Sequence, residues 1–68
     1  MPLKLRELKA ALSKAGFRSR TAKGSHTFWK HLALPGVHIT LAGQDGRDAR
    51  LYQIDDVRDA LKRLGGDL

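Results

Sequence analysis

Apolar residues recur early in the chain at Leu5, Leu8, Leu12 and Ala15, the i, i+3, i+7, i+10 spacing that lines one face of an α-helix. Gly16 follows where such a helix would stop. The period then shortens. Phe17-Arg18-Ser19-Arg20-Thr21-Ala22 reads as a strand, Lys23-Gly24 as a tight turn, and Ser25 to His31 as the returning strand of a hairpin. Leu34-Pro35-Gly36 is a second turn signal. Val37-His38-Ile39-Thr40-Leu41 then alternates strictly between apolar and polar, the mark of a strand with one buried face. A polar loop from Ala42 to Asp48 precedes a closing stripe, Ile54, Val57, Leu61 and Leu64, at the spacing of the first. Asp55 and Asp56 suit the N-terminal dipole of that helix, Lys62 and Arg63 its C-terminal end, and Gly65-Gly66 its stop.

The order is α-β-β-β-α. A three-stranded antiparallel sheet is not stable alone, so the two amphipathic helices should cover one face and leave the other open. The expectation is an α+β fold in a single domain over residues 1–68. Val37, Ile39 and Leu41 point to the helices and send His38 and Thr40 outward; Phe17 points inward and sends Arg18 and Arg20 outward. The second strand has two registers. With Trp29 buried, Ser25, Thr27 and His31 share its face while His26, Phe28 and Lys30 face out; with Phe28 buried, His26 goes inside. The first is preferred, because Trp buries more apolar area and an inward Lys30 would be costly. The open face then collects Arg18, Arg20, His26, Phe28, Lys30 and His38.

Composition narrows the class. At 68 residues the chain is near the lower limit for an unaided core, and with no cysteine it has neither a disulfide framework nor a thiolate zinc site. No apolar run approaches the ~20 residues of a membrane span, and Met1-Pro2-Leu3-Lys4-Leu5-Arg6-Glu7 mixes charge with apolar residues unlike a signal peptide. A cytoplasmic domain with no membrane contact is expected. Thirteen Lys+Arg against seven Asp+Glu give a net charge of +6, unevenly spread. Residues 1–31 hold eight bases and one acid, residues 32–68 five bases and six acids. The positive field thus belongs to the half with the hairpin, and nucleic acid is its natural partner.

The candidate chemistry lies in Gly24-Ser25-His26, which opens the aromatic and basic stretch Thr27-Phe28-Trp29-Lys30-His31. A histidine just after a tight turn has a fixed backbone beneath it, and an imidazole can gain or lose a proton near neutral pH. RNA is cleaved without metal when a base removes the 2′-hydroxyl proton and that oxygen attacks the adjacent phosphate. A histidine in that role contributes ~10²–10⁴-fold. Lys23, Arg20 and Lys30 are the nearby cations for the charge on the phosphoryl oxygens. Arg18 adds to the same face, and Phe28 offers either a base-stacking platform or a surface hidden under a partner. His31 falls on the opposite face, and His38 reaches the site only if the third strand neighbours the hairpin on that side. Spacings of five and seven on strands put His26 and His31 on opposite sheet faces, and no carboxylate or cysteine joins the histidines, so no metal site and no cofactor is expected.

An N-terminal amphipathic helix, a hairpin with Gly-Ser-His at its turn, an aromatic and Lys-His a few residues on, and a closing helix together resemble the HicA family of small bacterial toxins. The resemblance runs over nearly the whole chain, including Leu8 to Gly16, Gly24 to His31, Leu34-Pro35-Gly36, Val37 to Leu41 and the last helix. It implies a fold similar to the double-stranded-RNA-binding domain (dsRBD-like). It also implies the toxin of a type II toxin-antitoxin system, an endoribonuclease (mRNA interferase) that cuts mRNA, free or on the ribosome, and blocks translation. The family's catalytic histidine falls on His26, with Lys23, Gly24 and Ser25 beside it at the RNA. A HicB-type antitoxin protein is the implied partner and covers the site. The chain departs from the pattern at Gly46-Arg47-Asp48-Ala49-Arg50-Leu51-Tyr52-Gln53, where many members are rich in Pro and Gly and end in Gly-Thr-Leu. The alternative is a non-catalytic RNA-binding or antitoxin-binding module on the same fold. A DNA-reading helix fits poorly, because Asp55, Asp56 and Asp59 crowd the start of the second helix.

Overall fold

The computed structural model describes residues 3–68; Met1 and Pro2, which open the mixed N-terminal segment, lie outside the described residues. Its elements are α1 (Leu5–Lys14), β1 (Arg18–Thr21), β2 (Thr27–Lys30), β3 (Ile39–Leu41) and α2 (Leu51–Arg63). The expected α-β-β-β-α order is therefore observed. The strands pair antiparallel in the order β1-β2-β3, with Arg18 opposite Lys30, Arg20 opposite Phe28, and Trp29 opposite Ile39. Each strand is shorter than its alternation suggested: Phe17 and Val37 precede β1 and β3, and Ser25 and His26 belong to the turn.

One core holds the chain together. Leu5, Leu8 and Leu12 of α1 and Val57, Ala60 and Leu61 of α2 meet Phe17, Trp29, Ile39 and Leu41 from one face of the sheet. Trp29 is the buried member of β2, and Phe28 faces outward, as the preferred register requires. The indole of Trp29 is satisfied as well as buried: its Nε1–H donates to Thr27 Oγ1 at 2.9 Å. Burying this one side chain against the helices decides which residues remain for the opposite face.

Both helices end in a Schellman motif. Phe17 N–H donates to Leu12 O and Gly16 N–H to Ser13 O; at the other end Gly66 donates to Leu61 O and Gly65 to Lys62 O. Gly16 has φ +96°, which the motif needs at that position. The buried Phe17–Leu12 contact then swings the chain directly into β1.

The start of α1 is closed from far along the sequence. The N–H groups of Leu5 and Arg6, orphans of the first turn, donate to Arg47 O at 2.9 Å and Asp45 O at 3.1 Å. Ala49 N–H donates to Leu3 O, and Lys4 Nζ and Lys9 Nζ pair with Asp48 and Asp45 at 2.5 and 2.6 Å. The 42–50 loop is thus a latch over the helix. Gly43 sits in it at φ +123°, so close to Leu5 that a Cβ would lie 2.6 Å from Leu5 Cδ1.

The second helix corrects one expectation. It begins at Leu51, so Asp55 and Asp56 lie in its second turn and the first turn carries no acid. Gln53 performs the capping instead. Its Oε1 accepts from Arg50 N–H at 2.8 Å and its Nε2 donates to Ala42 O at 3.1 Å, and its side chain is buried. Gln53→Leu keeps the volume but strands both backbone groups. It is expected to lower stability by about 2–3 kcal/mol in urea titrations, with Gln53→Glu also destabilising because a carboxylate cannot donate to Ala42 O.

Among the described residues no helix is long and apolar enough to cross a membrane.

Candidate functional site

The hairpin turn places His26. Lys23 O accepts from His26 N–H at 3.2 Å, closing a turn whose first central residue, Gly24, has φ +64°. No other residue of the turn has positive φ, the sign pattern of a type II′ turn, which favours glycine there. The same carbonyl lies 2.9 Å from His26 Nδ1. A carbonyl oxygen only accepts, so Nδ1 carries the hydrogen, and in the neutral ring the lone pair is on Nε2. Lys23, Gly24, Ser25 and His26 are all exposed. One backbone atom thereby fixes both the position of the histidine and the tautomer that leaves Nε2 as a base.

Around it the open face collects cations without partners. Arg18, Arg20 and Lys30 stand on adjacent strands through the Arg18–Lys30 and Arg20–Phe28 pairs. Among the described residues neither these three nor Lys23 has a carboxylate within ion-pair distance, whereas Lys4, Lys9 and Arg58 do. The ion pairs found among the described residues all lie on the helices, their ends and the 42–50 loop, and none reaches the cations of the sheet face, which keeps its positive charge.

Phe28 occupies the centre of that face, half-buried. The Arg20 guanidinium and Lys30 ammonium each lie 5.5 Å from its ring centroid, and His38 stacks on it at 5.3 Å and 26°. Arg20 comes from β1 and His38 from the approach to β3, so they reach the ring from opposite sides of β2. The aromatic is already in contact on both flanks. It organises two cations and an imidazole more than it offers a bare platform.

The three histidines do not converge. His31 is turned to the helix side, where Nε2–H donates to Ala15 O at 3.1 Å and Nδ1 accepts from Ala33 N–H at 3.0 Å. Its ring meets Phe17 edge-on at 5.0 Å. That is a structural residue fastening the end of α1 to the β2–β3 connection. His38 is on the open face, because β3 does neighbour the hairpin. Continuing the register past Trp29–Ile39 sets it beside Lys30, four residues along β2 from His26. At ~3.4 Å per residue their Cα atoms are about 14 Å apart, with Phe28 between. Among the described residues no group of three or more His, Cys, Asp or Glu side chains is placed to hold a metal. His38 is on the open face as alternation predicts, but its stacking on Phe28 of the neighbouring strand, ten residues away in sequence, gave no local signal.

A groove of about 530 Å³ is lined by Arg18, Arg20, Phe28 and Lys30 of the sheet together with Gly16, His31, Leu32 and Pro35. His26 and Lys23 are not among its walls. The site therefore has two parts: a histidine tip, and a cationic groove at the far end of the same sheet face.

Set against protein-family models, curated proteins and solved structures, the chain matches none of them.

Proposed function

We propose that the chain is a cytoplasmic endoribonuclease of the HicA toxin type, an mRNA interferase that cleaves without metal through His26. The observation that carries the reading is the His26 turn, with Nδ1–H held by Lys23 O, the ring exposed, and the unpaired cations Arg18, Arg20 and Lys30 on the two strands that the turn joins. The resemblance to HicA toxins in the Gly24-Ser25-His26 motif supports it, and the dsRBD-like description of the fold belongs to the same reading.

The chemistry follows from those groups. His26 Nε2 takes the proton of a ribose 2′-hydroxyl, and the 2′-oxygen attacks the adjacent phosphorus. Lys23 balances the charge on the non-bridging oxygens, and Arg20, opposite Phe28, stands on the strand between it and the groove. The bond from phosphorus to the 5′-oxygen breaks, and that oxygen takes a proton from water. The products are a 2′,3′-cyclic phosphate and a 5′-hydroxyl. His31 faces the helices and His38 lies beside Lys30, so one histidine supplies the acid–base catalysis, and the enzyme is slow.

That solitary histidine also favours a second reading, a non-catalytic RNA-binding or antitoxin-binding module. Cleavage of a labelled mRNA in chelator separates the two. Cyclic-phosphate ends that disappear in His26→Ala establish the nuclease; no cutting of naked or ribosome-bound RNA by either protein leaves the binding module.

A HicB-type antitoxin would meet the sheet face with carboxylates and exclude RNA by occupancy. Raising salt is expected to weaken that complex, and Arg20→Glu or Lys30→Glu to loosen it, as read by calorimetry. Affinity indifferent to both salt and charge reversal would remove the electrostatic basis of the partnership.

A further inference from the structure

The groove at the end of the sheet away from His26 differs from the tip in kind. Of its cations Arg18, Arg20 and Lys30, the last two lie over the Phe28 ring, and Leu32 and Pro35 add apolar surface to the same lining. Leu32 is 92% exposed and Pro35 is exposed beside it. Leu32 makes no use of the core, and it stands next to three unpaired positive charges. A groove lined by both cations and exposed apolar side chains fits a ligand that combines an anionic group with a flat apolar one.

From this we infer that the groove is a subsite for an unpaired nucleotide of single-stranded RNA, set several nucleotides from the phosphate at His26. The inference rests on the RNA-binding part of the proposed function and adds the form and length of the substrate. A duplex presents only phosphates and ribose to such a face, and Leu32 and Pro35 would meet nothing apolar. A single strand turns its bases out, so that the phosphate pairs with Arg18, Arg20 and Lys30 while the base lies against Leu32 and Pro35. The span sets the length. The groove's walls on β2 run from Phe28 to Lys30, and its far end at Lys30 is four residues from His26, about 14 Å at ~3.4 Å per residue. A stacked strand advances ~3.4 Å per nucleotide, so about four nucleotides bridge tip and groove, and an extended strand needs fewer.

The test is binding of labelled single-stranded RNAs of two to eight nucleotides to His26→Ala, which removes cutting from the measurement. Affinity should rise in a step near four nucleotides. Arg18→Glu and Leu32→Glu, each with its circular dichroism checked, should weaken the octamer about tenfold and erase the step. Leu32→Met should retain it. A smooth rise with length, or Leu32→Glu affecting an eight-base-pair RNA duplex as much as the single strand, overturns the inference. So does an acidic peptide that binds the groove where no RNA does. The two readings fail separately: a wild-type chain that shows the step but cuts nothing keeps the subsite and loses the nuclease, while cutting without a step does the reverse.

Discussion

His26→Ala is expected to leave a folded chain that binds RNA as before and cuts it at least a hundredfold more slowly, about the lower bound for losing a general base. Folding survives because the imidazole is exposed and its one hydrogen bond is to the turn beneath it. The turn keeps its own closing bond from His26 N–H to Lys23 O, which alanine also makes. Binding survives because the unpaired cations are other residues. His26→Asn is the more searching variant: it can still donate to Lys23 O, and so holds the local geometry without supplying a base. Rates from single-turnover cleavage and affinities from fluorescence anisotropy, measured on the same preparations, check both halves. Cutting that survives in both variants would assign the chemistry to another group, and lost binding would make His26 a contact in place of a base.

Gly43→Ala should be the most damaging small change in the chain. The new methyl would stand 2.6 Å from Leu5 Cδ1, inside any real contact, at a backbone φ of +123° that an L side chain resists. Neither neighbour gives easily, because Leu5 is fully buried in the core and Gly43 is held in the latch over α1. Overpacking and backbone strain together are expected to cost about 2–4 kcal/mol, a large share of the stability of so small a domain. Urea unfolding measures it. Combining Gly43→Ala with Leu5→Ala provides the check on cause. The smaller residue opens space for the new methyl, so the double variant should lose less than the two single losses added. Simple additivity would mean that backbone strain at Gly43, and not the clash, carries the effect.

These cases show what could be read from the sequence. The α1 stripe and the burial of Trp29 were legible, because helical period and strand alternation are local and the tryptophan decides the register. The open face followed from that register alone: Arg18, Arg20, Phe28 and Lys30 are where alternation sends them. The start of α2 was not legible. Leu51 and Tyr52 are exposed and extend no apolar stripe, and the helix begins where Gln53 can cap Arg50 and reach Ala42. The latch was hidden for a different reason, since its partners lie on opposite sides of three strands. The two-part form of the site was hidden too. It depends on Leu32 and Pro35 standing clear of the core beside the cations, which neither residue type announces.

The latch has a consequence for how the molecule assembles. The hairpin that carries His26 joins residues no farther apart than Arg18 and Lys30, so it closes over a short length of chain. The pairing of Lys4 with Asp48 spans 44 residues and requires the entropy of a long loop to be given up first. Contacts of that separation slow folding, and they form after local ones. The separation of its partners therefore makes the latch a costly closure, and hydrogen exchange at the Leu5 and Arg6 amides is where its opening would be read.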